Sequence, residues 1–311
     1  MDVSVLLATC GRPTLFARTL ESFRRLRTEG LAWELLVVDN GSPRETQALL
    51  ADQASNLPTR LFVEEVRGKN RALNRAISEA RGALLVFTDD DVVVDPDWLY
   101  ELAEGAGRWP EHAVFGGRVL PLWPPEGAPR VRHRFSTYAY AIADLDRPEG
   151  PYAAAWVFGP NMALRATVLQ AGWRFDPDIG PDGTDTYKTG GESELLFRLE
   201  RAGLGAVYLP RARVFHQIRS EQLGSDWLCR RAFRKGRWDV VKRASGPRLL
   251  GVPASVFTAL VGSYARFIVA RAARDANAQL DRELSYWHAR GMYYEARRAS
   301  RPGAPRRGST Q

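Results

Sequence analysis

The segment that decides the fold is Ala83-Leu84-Leu85-Val86-Phe87-Thr88-Asp89-Asp90-Asp91, an apolar run followed at once by three carboxylates. The apolar part predicts a buried strand. Three carboxylates at its end repel one another strongly unless a cation lies among them. Oxygen ligands suit Mg²⁺ or Mn²⁺, and these ions keep positions open for nucleotide phosphates. The triplet therefore indicates a metal–nucleotide site. The alternative is a solvated acidic turn before a helix that starts at Asp95-Pro96-Asp97.

Short apolar runs alternate with amphipathic stretches from the N-terminus to this triplet. In order, they are residues 3–8, 13–26, 35–38, 44–52, 61–63, 68–79 and 83–88. This alternation predicts an α/β fold with a mostly parallel sheet and helices on both faces. Active sites of such sheets lie beyond the carboxyl ends of the strands. Because polar clusters follow three of the runs, at residues 9–12, 39–42 and 89–91, we expect them to converge on one ligand.

The middle of the chain is less regular. Residues 109–151 are rich in Pro, Gly and aromatic side chains, which predicts an irregular connection. A helix is expected to end near Gly172, and the Gly- and Asp-rich stretch 175–191 is typical of a functional loop or lid. A helix over 192–202 and a short strand over 206–209 follow.

The last third of the chain is basic. Residues 1–210 carry 23 basic and 29 acidic side chains, whereas residues 211–311 carry 21 and 7. Such asymmetry favours an anionic partner, namely phospholipid, a phosphorylated lipid or nucleic acid. Apolar residues between Phe257 and Ile268 share one helical face, so this helix either packs on the core or lies at a membrane interface. Because Arg266 and several polar residues interrupt the apolar run, we expect no transmembrane helix.

Cysteine usage bears on the compartment. Cys10 and Cys229 are the two cysteines and give no disulfide framework. The strand-like run at residues 3–7 has no signal peptide before it. We therefore expect a cytoplasmic protein, with peripheral contact to the inner face of the membrane through its basic last third.

Eight motifs together carry a resemblance to a known family. They are Ala8-Thr9-Cys10-Gly11-Arg12-Pro13, Val37-Val38-Asp39-Asn40-Gly41-Ser42, Gly68-Lys69-Asn70-Arg71-Ala72-Leu73-Asn74, Thr88-Asp89-Asp90-Asp91, Gly159-Pro160-Asn161-Met162-Ala163, Phe175-Asp176-Pro177, Gly190-Gly191-Glu192-Ser193-Glu194-Leu195-Leu196-Phe197-Arg198-Leu199 and Val214-Phe215-His216. In this order and spacing the chain resembles the inverting family 2 glycosyltransferases, which have a GT-A fold. The likeness covers roughly residues 2–240, and the combination is far more specific than any single motif.

The resemblance implies a role for each matching residue. The implied donor-binding residues are Thr9, Arg12, Asp39, Lys69, Asn74, Asp89, Asp90 and Asn161. The implied ligands of Mn²⁺ or Mg²⁺ are Asp89, Asp91 and His216. Taken without the family, Asp39 is equally typical of an Asx turn, and a lone histidine after a strand is more often structural.

The resemblance also implies a carboxylate base that deprotonates an acceptor hydroxyl. Alignment of the Leu-rich helix puts Glu192 at that position and Glu194 at a later acidic position. The chain departs from the family, which usually has Asp at the base position and an acid where this chain has Gly191. A shifted alignment would place Ser193 there instead. A first-turn carboxylate that stabilises the helix dipole is the other interpretation of Glu192.

The implied domain organisation has three parts. A GT-A (Rossmann-like) catalytic domain is expected over residues 1–240, with a nucleotide-binding half at 1–118 and an acceptor-binding half at 119–240. A basic helical extension follows at 241–300. Residues 301–311, which contain Pro, Gly and Arg, are expected to form a disordered tail.

The implied activity is metal-dependent transfer of a sugar from a nucleoside diphosphate donor, UDP-linked, to a hydroxyl acceptor such as a glycan or a lipid-linked molecule. Two alternatives stay open: a sugar nucleotidyltransferase, and a non-catalytic protein that binds a nucleotide sugar or glycan. A dinucleotide-dependent oxidoreductase is disfavoured because no G-x-G-x-x-G follows the first strand. Nucleic acid is not an expected partner, because the basic residues form no recognisable binding module.

Overall fold

The computed structural model describes residues 1–129, 135–240, 246–272 and 275–300. The strands are β1 (Val3–Thr9), β2 (Trp33–Asp39), β3 (Thr59–Val63), β4 (Leu84–Asp89), β5 (Val92–Val94), β6 (Val114–Leu122), β7 (Gly150–Tyr152), β8 (Met162–Arg165), β9 (Ala206–Gln217), β10 (Arg248–Leu249) and β11 (Val252–Pro253). The helices are α1 (Pro13–Phe23), α2 (Arg44–Ala54), α3 (Lys69–Glu79), α4 (Trp98–Arg108), α5 (Ser136–Ala139), α6 (Ala166–Gln170), α7 (Gly191–Arg201), α8 (Ser225–Asp239), α9 (Ala254–Ala270) and α10 (Ala276–Ala299). The predicted tail at 301–311 lies outside the described residues.

Nine strands form one central sheet in the order β3-β2-β1-β4-β8-β6-β9-β5, with β7 paired to β9. Strands β1 to β4 pair in parallel, as do β6 and β9. Strand β8 runs antiparallel to β4 and β6, and both β5 and β7 run antiparallel to β9. The predicted α/β sheet with flanking helices is confirmed, and the sheet is mixed: parallel from β1 to β4 and antiparallel at β8, β5 and β7. Its parallel half brings the carboxyl ends of β1, β2 and β4 to one edge.

Two sequence-based predictions of secondary structure were wrong. The connection predicted as irregular over residues 109–151 contains β6 and β7, and the strand predicted at 206–209 continues to Gln217. Strand β6 was not recognised in the sequence because it contains Gly116 and Gly117, and glycines weaken a strand pattern. Packing requires them there: a Cβ on Gly116 would overlap the hydroxyl of Tyr152, and one on Gly117 would overlap the amide of Asn161. Tertiary packing therefore overrides the local signal.

The chain divides into two compact units. The sheet unit comprises residues 1–124, 140–185 and 190–218. In it, one apolar layer holds Phe23 of α1 stacked on Trp98 of α4, with ring centroids 6.0 Å apart. The other layer holds Leu73 of α3 and Leu195 of α7, both almost fully buried. Helices α3 and α7 therefore belong to the same layer.

The helical unit comprises the described residues of 125–139, 186–189 and 219–311. Helices α8 and α10 approach closely at two glycines, since a Cβ on Gly236 would overlap the His288 carbonyl and one on Gly291 the Phe233 carbonyl. Helix α9 packs on α10, where the rings of Phe267 and Tyr286 stack 5.5 Å apart. Among the described residues, no helix is long and apolar enough to cross a membrane.

Candidate functional site

The Asp triplet lies where β4 ends, and it is joined to the end of β1. Asp90 is fully buried and accepts a hydrogen bond from Thr9 Oγ1 at 2.7 Å. The guanidinium of Arg12 pairs with Asp90 and donates from Nη1 to Asp91 Oδ2 at 2.7 Å. The structure therefore brings together two of the polar clusters that the sequence predicted to converge.

Burial and the arginine act on these charges in opposite directions. Burial raises the pKa of Asp90, while the nearby Arg12 works against that rise. Burial would lower the pKa of Arg12, but Asp90 and Asp91 outweigh it and the pKa is raised. Arg12 therefore stays cationic. Asp90 is enclosed behind Thr9 and Arg12, so its carboxylate supports the loop that would meet a ligand.

Lys69 joins the triplet to a fourth carboxylate. Its Nζ lies 2.6 Å from Asp89 Oδ1 and 2.9 Å from Glu192 Oε1. Burial lowers the pKa of Lys69, but the two carboxylates outweigh that effect and the pKa is raised. This ammonium therefore stays charged at neutral pH. It connects the first residue of α3, the end of β4 and the first turn of α7, which are far apart in the sequence.

Glycines allow Glu192 to reach this position. A Cβ on Gly159 would overlap Glu192 Oε1, and a Cβ on Gly191 would overlap the side chain of Asn70. The neighbouring acid Glu194 instead pairs with Arg198 along α7 at 2.7 Å. Of the two acids in this turn, Glu192 is the one that Lys69 joins to Asp89 of the triplet.

Asp91 also faces His216 on β9. His216 Nε2 lies 3.6 Å from Asp91 Oδ1, and Nδ1 lies 2.7 Å from the carbonyl oxygen of Tyr140. A carbonyl only accepts, so Nδ1 carries a proton and Nε2 is the nitrogen aimed at Asp91. Burial lowers the pKa of His216, but the Asp91 carboxylate outweighs it and the pKa is raised.

The pair of Asp91 and His216 fits a divalent cation in its chemistry. Carboxylate and imidazole both suit Mn²⁺, and a backbone carbonyl on the far nitrogen orients the ring as at many metal sites. Two ligands about 2.1 Å from one ion lie about 3 Å apart when adjacent, which is close to the observed 3.6 Å. Within the described residues, no three His, Cys, Asp or Glu side chains are already arranged around one point. Asp89 is held by Lys69 instead.

Asp39 ends β2 directly beside Thr9 of β1. Its carboxylate accepts hydrogen bonds from the backbone and hydroxyl of Ser42 and from Gln47 Nε2, the last at 2.8 Å. These contacts form a local turn at Asp39, which the sequence analysis gave as the alternative to a donor-binding role. Arg67, which the sequence reasoning missed, reaches the same edge, where it donates to the Gly41 carbonyl and lies 3.1 Å from Cys10 Sγ. Its position two residues before α3 was the signal.

The two predicted asparagines use their amides inside the fold. Asn74 exchanges hydrogen bonds with the backbone of Phe175 at 2.9 and 3.1 Å. Asn161 is fully buried, accepts from Trp98 Nε1 and donates to two carbonyl groups. Asn70, missed by the sequence reasoning, donates to the Asp176 carbonyl. Asn70 and Asn74 are one turn apart on α3, and together they hold the start of the segment after residue 174.

Comparison with known proteins gives the family. The model of glycosyl transferase family 2 matches residues 4–172. The O-antigen biosynthesis protein RfbC of Myxococcus xanthus is 31% identical over 231 residues, which cover 69% of this chain and 17% of that protein. Validoxylamine A glucosyltransferase of Streptomyces hygroscopicus subsp. limoneus is 27% identical over 228 residues, which cover 65% of this chain and 48% of that protein. The chain thus spans less than half the length of either relative.

Solved structures show the same fold at low sequence identity. The mannosyltransferase PcManGT from Pyrobaculum calidifontis, in complex with GDP-Man and Mn²⁺, superposes with a TM-score of 0.61 at 18% identity, over 94% of this chain and 87% of that one. S. aureus TarS 1-349 in complex with UDP-GlcNAc gives 0.54 at 14% identity, over 92% and 73%. The predicted GT-A fold is confirmed.

Proposed function

The chain belongs to glycosyl transferase family 2, and from that premise we propose that it transfers a sugar from a nucleoside diphosphate sugar to a hydroxyl group of an acceptor. The donor is a UDP-sugar in this proposal. The observation that carries it is the bridge from Lys69 to Asp89 and Glu192, because it sets a candidate base beside the carboxylates of the strand end. Proteins of similar fold bind GDP-Man and UDP-GlcNAc, which supports the nucleotide sugar as the class of donor.

In the proposed site, the nucleoside lies at the ends of β1 and β2, against Thr9 and Asp39. The cationic side chains of Arg12 and Lys69 favour the diphosphate, because both stay charged. These residues fall in the proposed nucleotide-binding half, residues 1–118. The acceptor-binding half, residues 119–240, contributes Glu192 and His216.

Asp91 and His216 would hold a divalent cation, Mn²⁺ or Mg²⁺, with Asp89 as a further ligand. A bound cation would supply neutralisation of the charge that develops on the leaving diphosphate. For Asp89 to bind the cation, its carboxylate must contact both the cation and Lys69. The side chain of His216 is already oriented for this role by the Tyr140 carbonyl.

Glu192 acts as general base in this proposal. Lys69 Nζ lies 2.9 Å from its Oε1, which holds the carboxylate beside the end of β4. The Glu192 carboxylate accepts the proton of the acceptor hydroxyl while the hydroxyl oxygen attacks the anomeric carbon. The bond from that carbon to the phosphate oxygen breaks on the opposite side, so the configuration inverts in a single displacement.

The acceptor and the location of the enzyme are also proposals. The excess of 14 basic over acidic residues in 211–311 favours an anionic acceptor, for example a lipid-linked glycan. Such an acceptor would be met in the cytoplasm at the inner face of the membrane.

The test is turnover of defined donors. UDP-glucose, UDP-GlcNAc and GDP-mannose are incubated in turn with the protein, with Mn²⁺ or with a chelator, and release of the nucleoside diphosphate is measured with water and with simple alcohols as acceptors. Mn²⁺-dependent release from one donor, abolished in Glu192→Gln, supports the proposal. Binding of a donor without turnover on any acceptor favours the non-catalytic alternative. Pyrophosphate release from UTP and a sugar 1-phosphate would identify a nucleotidyltransferase.

A further inference from the structure

Helix α9 carries an apolar face that α10 does not cover. Its outer face consists of Val261, Tyr264, Ile268 and Val269, whose exposed fractions are 53%, 49%, 44% and 74%. The opposite face is buried at Val256, Ser263 and Ala270, and it joins the apolar cluster shared with α10. An exposed apolar strip of this kind commonly marks an interaction site. The outer face of α9 is therefore a candidate contact surface.

The hairpin of β10 and β11, just before α9, exposes two further leucines. Leu249 is 46% exposed and Leu250 is 73% exposed. Leu250 also has a φ of +51°, a left-handed conformation that favours glycine rather than leucine. A leucine at this tip is stabilised neither by its backbone conformation nor by burial against the described residues. An apolar side chain held outward in this way suits contact with an apolar phase.

The charged residues of the hairpin and of α9 themselves have one sign. Residues 246–272 contain no Asp or Glu, and Arg248, Arg266 and Arg271 are all exposed. At about 3.6 residues per turn, Arg266 and Arg271 lie on opposite flanks of the outer face of α9. Long cationic side chains on both flanks of an apolar strip reach the phosphate level while the strip enters the acyl region.

We propose that the outer face of α9 and the tip of the β10–β11 hairpin form a docking surface for an anionic phospholipid bilayer. The 17 residues of α9 span about 25 Å, less than a bilayer core of about 30 Å, so the helix lies in the interface. A second copy of the chain fits less well. Antiparallel pairing of two α9 outer faces would bring arginines together with no acidic residue on the helix to meet them. This inference is independent of the proposed catalytic activity.

The experiment is co-sedimentation of the full chain with sucrose-loaded vesicles at physiological salt. One set of vesicles is phosphatidylcholine alone, and the other is equimolar phosphatidylcholine and phosphatidylglycerol. The wild type is expected to bind the anionic vesicles and to stay in solution with the neutral ones. The double variant Val261→Glu, Val269→Glu should lose at least about tenfold in the partition coefficient, because it puts carboxylates in the apolar strip.

Two further variants separate surface chemistry from unfolding. Val63→Glu changes a valine of similar exposure, 56%, on β3 of the sheet unit and should bind as the wild type does. Arg266→Gln and Arg271→Gln should each lower binding to anionic vesicles about fivefold, the usual effect of one basic side chain near such a surface. Absence of wild-type binding, or unchanged binding of the double glutamate variant, overturns the proposal. So does a concentration-dependent dimer in sedimentation equilibrium that the double variant abolishes while vesicle binding is absent.

Discussion

Two networks of buried charge differ in what they do for the molecule. The edge network of the sheet unit comprises Arg12, Lys69, Asp89, Asp90, Asp91 and Glu192. The helical network comprises Lys188, Arg237 and Glu295, together with Lys235, Asp239 and His288. Apart from the Lys235–Asp239 pair within α8, both consist of short ion pairs between elements distant in the sequence, so a count of salt bridges does not distinguish them.

Access to solvent distinguishes the Lys69 bridge of the edge network from the Arg237–Glu295 pair of the helical network. In the edge network the side chains of Lys69, Asp89 and Glu192 are 22%, 20% and 23% exposed. In the helical network Arg237 is 3% exposed and Glu295 is 12% exposed. Charges that a ligand can reach at the ends of strands are suited to chemistry, whereas sealed charges between helices fix the packing. The two Glu→Gln variants that follow test this division.

The largest expected effect is on turnover, in Glu192→Gln. Loss of a general base lowers kcat by about 10²–10⁴-fold. The free energy of unfolding should change by less than about 1 kcal/mol, because Glu192 is partly exposed and Lys69 keeps Asp89. Release of nucleoside diphosphate and urea unfolding are measured on the same preparation. Wild-type turnover in this variant would remove Glu192 from the mechanism.

The matching variant of the helical network, Glu295→Gln, should show the reverse. Removal of one partner leaves Arg237 and Lys188 buried without the carboxylate they share, at a cost of about 3 kcal/mol in stability. Turnover per folded molecule should stay within about twofold of the wild type. Urea unfolding gives the stability, and Glu104→Gln on an exposed position of α4 is the control, with a change under about 0.5 kcal/mol. Equal free energies of unfolding for Glu192→Gln and Glu295→Gln would contradict the proposed difference between the two networks.

Asp239 of the helical network should make the stability of the protein depend on pH in the acid range. Burial raises its pKa, but His288 and Lys235 outweigh burial and hold it at about 2. A carboxyl whose pKa is lower in the folded state stabilises the fold at pH values above about 4 and loses that effect as pH falls towards 2. The loss should amount to about 2 kcal/mol. Urea midpoints between pH 5 and pH 2 should fall more steeply for the wild type than for Asp239→Asn, and parallel curves would contradict the prediction.

The smallest expected effect comes from Gly159→Ala. The added methyl overlaps Glu192 Oε1, and the flexible glutamate moves away from Lys69 at little cost in stability. A base displaced by a fraction of an ångström should lower kcat about tenfold and leave donor KM within about twofold. Gly107→Ala, on α4 with open space around its Cβ, is the control and should keep full turnover. Unchanged kcat in Gly159→Ala would mean that the position of Glu192 is not critical.

The sequence predicted the elements whose pattern of apolar and polar residues is local and regular. The strand before the triplet and the alternation up to Asp89 were readable because buried parallel strands are continuous apolar runs. Strand β6 was missed because its glycines are required by Tyr152 and Asn161, which come from later in the chain. A fold class thus follows from local pattern, while the length of a strand depends on its neighbours.

The sequence predicted which residues belong to the candidate site better than it predicted the contacts between them. The positions of Lys69 and Glu192 came from motifs, but their ion pair joins residues 123 positions apart in the sequence. Asn161 and Asn74 matched the family's pattern, yet their amides support the backbone in this structure. Which polar atoms face a ligand depends on how helices and strands are placed, and one sequence does not contain that information.

The end of β4 is proposed to hold a metal–nucleotide site. The most direct test is the thermal stability of the wild type and Asp91→Asn with UDP, GDP or dTDP, each with Mn²⁺ or a chelator. One nucleotide should stabilise the wild type by about 2.7 kcal/mol at a hundred times its Kd, only when Mn²⁺ is present. Asp91→Asn should show no such shift relative to its own unliganded stability. Equal stabilisation in the variant, or no response to any nucleotide, would contradict the account.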